Sequence, residues 1–162
     1  MSDRAYVGSQ PVGQASSLQT IDLGDKQVVF DSKLGRQEYV YIQNGDVSTI
    51  DIGMLVQHKT ADANGHVGII CVTAKTPKWQ CLGIAQTPIP AGYFGWILCD
   101  GVGLGVGDGA VSADSAVMSN GTAGRFTNAT ITNLDEAISV AGVATTADAA
   151  AGTVFTIRAS GY

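Results

Sequence analysis

At 162 residues the chain has room for one domain, or one domain with an arm, and for a core of its own. Only 14% of its residues are charged and the net charge is -5 with no basic run, so the Lys/Arg footprint that a phosphate backbone requires is missing and nucleic acid is excluded as a partner. Residues 80–99 carry no charge, but two prolines and three glycines interrupt them, which excludes a membrane span.

So few charges on a chain of this size imply that much of its surface is hidden against copies of itself or a partner. The charges are also unevenly spread. Seven of the nine basic residues lie at or before Lys78, leaving Arg125 and Arg158 among six acidic residues in the remainder. That asymmetry suggests that one end docks while the other faces solvent. The opening MSDRAYVGSQ lacks the apolar stretch of a secretory signal. Three cysteines, Cys71, Cys81 and Cys99, sit in apolar settings and read as buried free thiols.

In chain order, residues 1–23 show isolated apolar side chains (Tyr6, Val7, Val12, Leu18, Ile21) punctuated by Gly8, Pro11 and Gly13, with no period to fold on. The segment is either a frayed terminus or an extended arm ordered against a neighbour, and the low charge favours the arm. Tyr6, Val7, Pro11, Val12, Leu18 and Ile21 are then its contact residues, and residues 24–162 form the single domain. Removing residues 1–17 is expected to weaken docking and leave the fold intact.

A first short strand is expected at residues 27–30. From Glu38 the period is two: Tyr39 and Tyr41 face one way, Val40 and Ile42 the other, up to Asn44-Gly45. Ile50, Ile52, Met54 and Val56 alternate in a second run, and residues 67–73 make a third. Alternate glycines from Gly101 to Gly109 read as a flat or flexible loop, because no Lys and no helical period follow to complete a phosphate cradle. Residues 111–117 and 125–131 are candidate strands. Asn133 caps one helical turn, with Glu136 three residues on. The fold class that results is all-β, a sandwich or barrel-like domain of short strands.

The stretch LGIAQTPIPAGYFGWILCDG, residues 82–101, outlines a hairpin whose loop is fixed by Pro88 and Pro90. Gly92, Phe94, Gly95 and Trp96 lie at its turn and second strand. With one residue inserted in the loop, Gly83, Ala85, Thr87, Gly92 and Ile97 fall on Gly142, Ala144, Thr146, Gly152 and Ile157, and a shorter third copy aligns Thr60, Gly65 and Ile70. Either this is a strand-loop-strand unit used repeatedly as scaffold, or it is coincidence in a chain rich in Gly, Ala and Thr.

Chemistry is sparse. His58 and His66 with Asp62 between them could approach a metal, but spacing suggests no further ligand, and two solvent-facing strand ends explain them as well. Asp100, after an aromatic strand, is either a perturbed acid or a polar strand end. Trp79, Tyr93, Phe94 and Trp96 form either an aromatic face for sugar or core. No nucleophile has a base at useful spacing, so an enzyme is not expected, and neither cofactor nor metal is called for.

The elements GRQEYVYIQNG, DIGMLVQ and GIAQTPIPAGYFGWILCDG, followed by a half rich in small residues that ends in GVATTADAAAGTVFTIRAS, resemble the head decoration (capsid cement) proteins of tailed bacteriophages over about residues 35–160. The resemblance implies a β-rich homotrimer on the outer surface of the virion head. It implies binding to the major capsid protein at local threefold or quasi-threefold sites, where it cements adjacent subunits against internal pressure. The alternative is a carbohydrate- or receptor-binding β module of a phage fibre or spike.

Overall fold

The computed structural model describes residues 11–59 and 65–159. Among them ten strands are hydrogen-bonded into one sheet: β1 (Lys26–Asp31), β2 (Gly35–Asn44), β3 (Leu55–His58), β4 (Val67–Ile70), β5 (Cys81–Ala85), β6 (Phe94–Val106), β7 (Ala116–Ser119), β8 (Phe126–Asn128), β9 (Val140–Ala144) and β10 (Val154–Ala159). One short helix, α1 (Leu134–Ile138), and a 3-10 turn at Lys78–Gln80 complete the set. The all-β expectation holds.

The sheet closes on itself. Its order is β1-β2-β4-β3-β5-β6-β10-β9-β7-β8, and an added β2–β6 pairing makes β2, β4, β3, β5 and β6 a ring of five. Closure leaves the ring without free edges. The period-two residues of β2 divide accordingly. Val40 and Ile42 join Ile50, Val56, Ile70, Leu82, Ile89 and Ile97 in one core, while Tyr39 and Tyr41 turn to the other face, with Trp96 and Leu98 of β6.

β6 outlasts the ring. Its first part, residues 94–100, pairs with β2, and residues 101–106 pair with β10. There β10, β9, β7 and β8 form a second ring, closed by a parallel bridge from Gly107 to Phe126. The two rings are the same unit built twice. Gly92 N–H donates to the Asn44 carbonyl and Asn44 N–H to Tyr93 in the first, as Gly152 donates to Gly107 and Gly107 to Thr153 in the second. The Ile50–Ile89 bridge matches Val111–Asp148, and the bond from Gly53 to Ala85 matches that from Asp114 to Ala144. Strand registers agree as well: Leu55 opposes Ile84 where Ala116 opposes Val143.

This settles the repeat in favour of a scaffold unit. Gly83 and Gly142, aligned by sequence, are glycine for the same physical reason, since a Cβ on either would strike a backbone carbonyl of the strand opposite, Leu98 O in one case and Arg158 O in the other. Gly92 and Gly152 both hold positive φ, and Ile97 and Ile157 are both fully buried. The third copy is the β3–β4 hairpin, whose Gly65 also has positive φ; its topological counterpart is β7–β8, and its Thr60 lies outside the described residues.

One expectation is corrected. Gly101, Gly103 and Gly105 lie in β6 and not in a loop. They face the core, where a side chain has no room: a Cβ on Gly105 would lie 3.0 Å from the Phe155 ring, and one on Gly103 would lie 2.6 Å from Leu98. Where β6 leaves the first ring, side-chain amides replace the missing strand. Gln86 accepts from Leu104 N–H at 2.8 Å and donates to its carbonyl at 3.0 Å, and Gln37 donates to the Val102 carbonyl at 2.6 Å.

Candidate interaction surface

The described part of the N-terminal segment, from Pro11 onward, lies along its own domain. Ser16 and Phe94 exchange backbone hydrogen bonds at 2.9 and 2.8 Å, Gly24 N–H donates to Tyr41, and Thr20 Oγ1 lies 3.4 Å from the Tyr41 hydroxyl. Val12, Ile21 and Leu23 are half-buried against the core cluster that contains Tyr39, Tyr41 and Trp96. Pro11 is exposed and Leu18 is 72% exposed. Tyr6 and Val7 lie outside the described residues. A cut after residue 17 would therefore remove part of the fold, contrary to expectation, because it takes away Val12 and the Ser16–Phe94 pair.

Beneath this segment Tyr41 stacks on Phe94, with 6.3 Å between ring centroids, and meets Trp96 at 5.1 Å and a tilt of 59°. Trp96 is thus core, and Gly95 admits Ile89 at its back, where a Cβ would lie 2.9 Å away. Trp79, by contrast, stands 72% exposed on the 3-10 turn. Phe30 is exposed near the tip of the β1–β2 hairpin, and Leu134 and Ile138 present adjacent apolar side chains from α1.

Polar clusters are braces. Glu38 accepts from Lys26 and Arg36, which hold its carboxyl below the usual range, and Arg36 also reaches Asp100 at 3.2 Å. Asp100 is therefore an ion-pair partner inside β6, where that strand passes from one ring to the other, and not a strand end. Glu136 is nearly buried and bonds Lys75 at 2.5 Å and both the N–H and hydroxyl of Thr132; chiefly Lys75, then Thr132, lower its carboxyl to about 2. Asp108 accepts from Asn120, Thr122 and Arg125. The imidazoles of His58 and His66 meet edge to face at 6.5 Å, and among the described residues no three His, Cys, Asp or Glu side chains gather where a metal could be held. Asp62 is outside the described residues. Burial pushes the Cys81 thiol up to about 12 and the Cys99 thiol up to about 11, which disfavours their thiolates.

The described surface therefore carries exposed apolar side chains on a braced β frame. Comparison of the frame with solved structures gives a match. The fold is similar to the base of a phage head fibre. The structure in question, the head fiber gp8.5 N base of bacteriophage phi29, superposes with a TM-score of 0.54 at 11% identity, covering 75% of this chain and 94% of that one. No protein-family model matches the sequence, and no curated protein does. Sequence reasoning found the first half of the strand that joins the two units, as the hairpin's second run, and missed its continuation through residues 101–106, because the glycines there carry no side-chain pattern.

Proposed function

We propose that this chain is a structural protein of a phage virion, seated on the outside of the head. It binds the major capsid protein at local threefold or quasi-threefold sites as a homotrimer and cements adjacent subunits there. It does so without catalysis or cofactor. The observation that supports this most is the fold shared with a head-fibre base over nearly all of that base. Exposed apolar side chains on strands and on a braced helical turn (Phe30, Leu134, Ile138) suit docking onto a protein lattice, where many weak contacts add through multivalency.

The test is co-sedimentation of the purified protein with expanded and unexpanded heads. Saturable binding to expanded heads, with raised resistance to heat or chelator, is the expected result. Absence of binding to either form would overturn the proposal. Truncation of residues 1–10, which spares Val12 and Ser16, then asks whether Tyr6 and Val7 contribute to docking.

A second reading has its own support. The similar structure is the base of a fibre, and Trp79 is an exposed aromatic of the kind that stacks on sugar. On that reading the protein is a carbohydrate- or receptor-binding module, and Trp79 fluorescence should change on titration with host glycans.

A further inference from the structure

The two units differ at one buried polar position. In the first unit the Asn44 side chain is fully buried, and its Nδ2 donates to the Ser48 carbonyl at 2.9 Å and to the Ile89 carbonyl at 2.7 Å. The matched backbone bonds carry Asn44 onto Gly107, Ile89 onto Asp148 and Ser48 onto Gly109 of the second unit. Glycine supplies no amide there, and the Asp148 carboxylate enters the space instead. A Cβ on Gly107 would lie 2.5 Å from Asp148 Oδ2 and 3.0 Å from the Gly109 carbonyl oxygen, so both oxygens face one point beside Gly107. Asp148 is 8% exposed. Its Oδ1 accepts from Ala150 N–H at 3.2 Å and from the Thr153 hydroxyl, but its Oδ2 is buried without a hydrogen-bond partner among the described residues. Where the first unit sets a donor between acceptors, the second sets acceptor against acceptor.

We propose that this cradle binds calcium, in the place that the Asn44 amide nitrogen takes in the first unit. Asp148 Oδ2 and the Gly109 carbonyl are its ligands on this chain, and water completes the shell. A buried carboxylate oxygen with no donor is costly, and a cation answers both its lone pairs and its charge, whereas a water answers only the lone pairs. The neighbouring charges do not compete. Arg125 is committed to Asp108 at 3.2 Å, and Asp108 also takes Asn120 and Thr122, so that pair cancels and the Asp148 charge is left over. A carboxylate with a main-chain carbonyl is an oxygen-only donor set of the kind calcium takes in flexible geometry; magnesium demands a near-ideal octahedron and gives up its water reluctantly. Gly109 is half-buried, which leaves a way in from solvent. The site uses one side chain and the backbone, and so differs in kind from a gathering of three His, Cys, Asp or Glu side chains, absent among the described residues. With a single carboxylate its affinity belongs at the weak end of calcium sites, ~10⁻³ M. Bound there, the ion ties the turn after β6 to the loop before β10, as the Asn44 amide ties the first unit.

The experiment is thermal unfolding of the full chain by circular dichroism, stripped with chelator and titrated with calcium, magnesium or tetramethylammonium chloride at matched ionic strength. The wild type is compared with Asp148→Asn and, as control, with Asp51→Asn, which removes an exposed carboxylate elsewhere. Calcium should raise the wild-type melting temperature saturably, by about 4 °C at roughly ten times the dissociation constant, and magnesium much less. Asp148→Asn places an amide beside the Gly109 carbonyl, so it should melt at or above the stripped wild type and ignore calcium. The control should respond like the wild type. Should Asp148→Asn fail to fold, the double variant Gly107→Asn with Asp148→Ile, which copies the first unit, carries the same test. A wild type indifferent to calcium overturns the proposal and leaves water in the cradle. So does an equal response to magnesium or tetramethylammonium, and so does an Asp148→Asn protein that keeps the wild-type response. Head binding enters none of these readouts.

Discussion

Asp114 occupies the position that Gly53 holds in the first unit, and both have positive φ, +60° and +81°. A side chain in this region costs about 1–2 kcal/mol, somewhat less for Asp, and glycine returns about 0.5–1 kcal/mol of that through unfolded-chain entropy. Asp114→Gly should therefore stabilise the protein by a net of about 0.5 kcal/mol, read as a shift of the urea midpoint at constant slope. Gly142 and Gly92 separate the two reasons for glycine. A Cβ on Gly142 would lie 2.4 Å from the Arg158 carbonyl oxygen with no positive φ, whereas around Gly92 nothing lies within 4 Å and only its φ of +76° resists substitution. Gly142→Ala should cost about 2–3 kcal/mol from overpacking and Gly92→Ala about 1 kcal/mol. Equal losses would contradict the close-approach account.

At the scale of an element, α1 is held by its charges. Asn133 caps it by accepting from Glu136 N–H at 3.0 Å, and the Glu136 carboxylate returns to Thr132 and to Lys75, tying the helix to the loop before the 3-10 turn. The Glu136 carboxyl titrates at about 2 in the fold against 4.5 ordinarily. The folded state thus holds the proton less tightly than the unfolded chain. The stabilisation is complete above about pH 4.5 and is lost as pH falls towards 2. Glu136→Gln should lower the melting temperature at pH 7 and flatten its dependence on pH between those limits. A variant whose acid-side slope matches the wild type would show that the fall belongs to other carboxylates. The cap was legible from Asn133 and Glu136 at their spacing, and the hairpin repeat from Gly83, Gly92 and Ile97. The unit around it was not. Ile50–His58 and Val111–Ser119 are equivalent in bonding, yet only Val56 and Val117 keep a common residue, because backbone hydrogen bonds recur without side-chain identity.

Over the whole molecule, β6 belongs to both rings, and one core cluster runs from Tyr41 and Trp96 to Phe126 and Phe155. Neither ring can open without breaking the other's ladder or baring that cluster. Unfolding should be a single transition, with Trp fluorescence and far-UV circular dichroism sharing one midpoint and amides of β5 and β9 exchanging through the same global opening. Separate midpoints would mean that the shared strand does not couple the units.

The same strand decides how the molecule answers to tension. Thirteen residues of β6 extend about 43 Å at the usual strand rise, laced laterally to β2 and β5 in one ring and to β10 in the other. A pull directed along β6 has to slide all three ladders at once, so their bonds yield together; a pull across it would part them pair by pair. The protein is therefore expected to be stiff along one axis and compliant across it, and its resistance to stretching depends on how it is oriented.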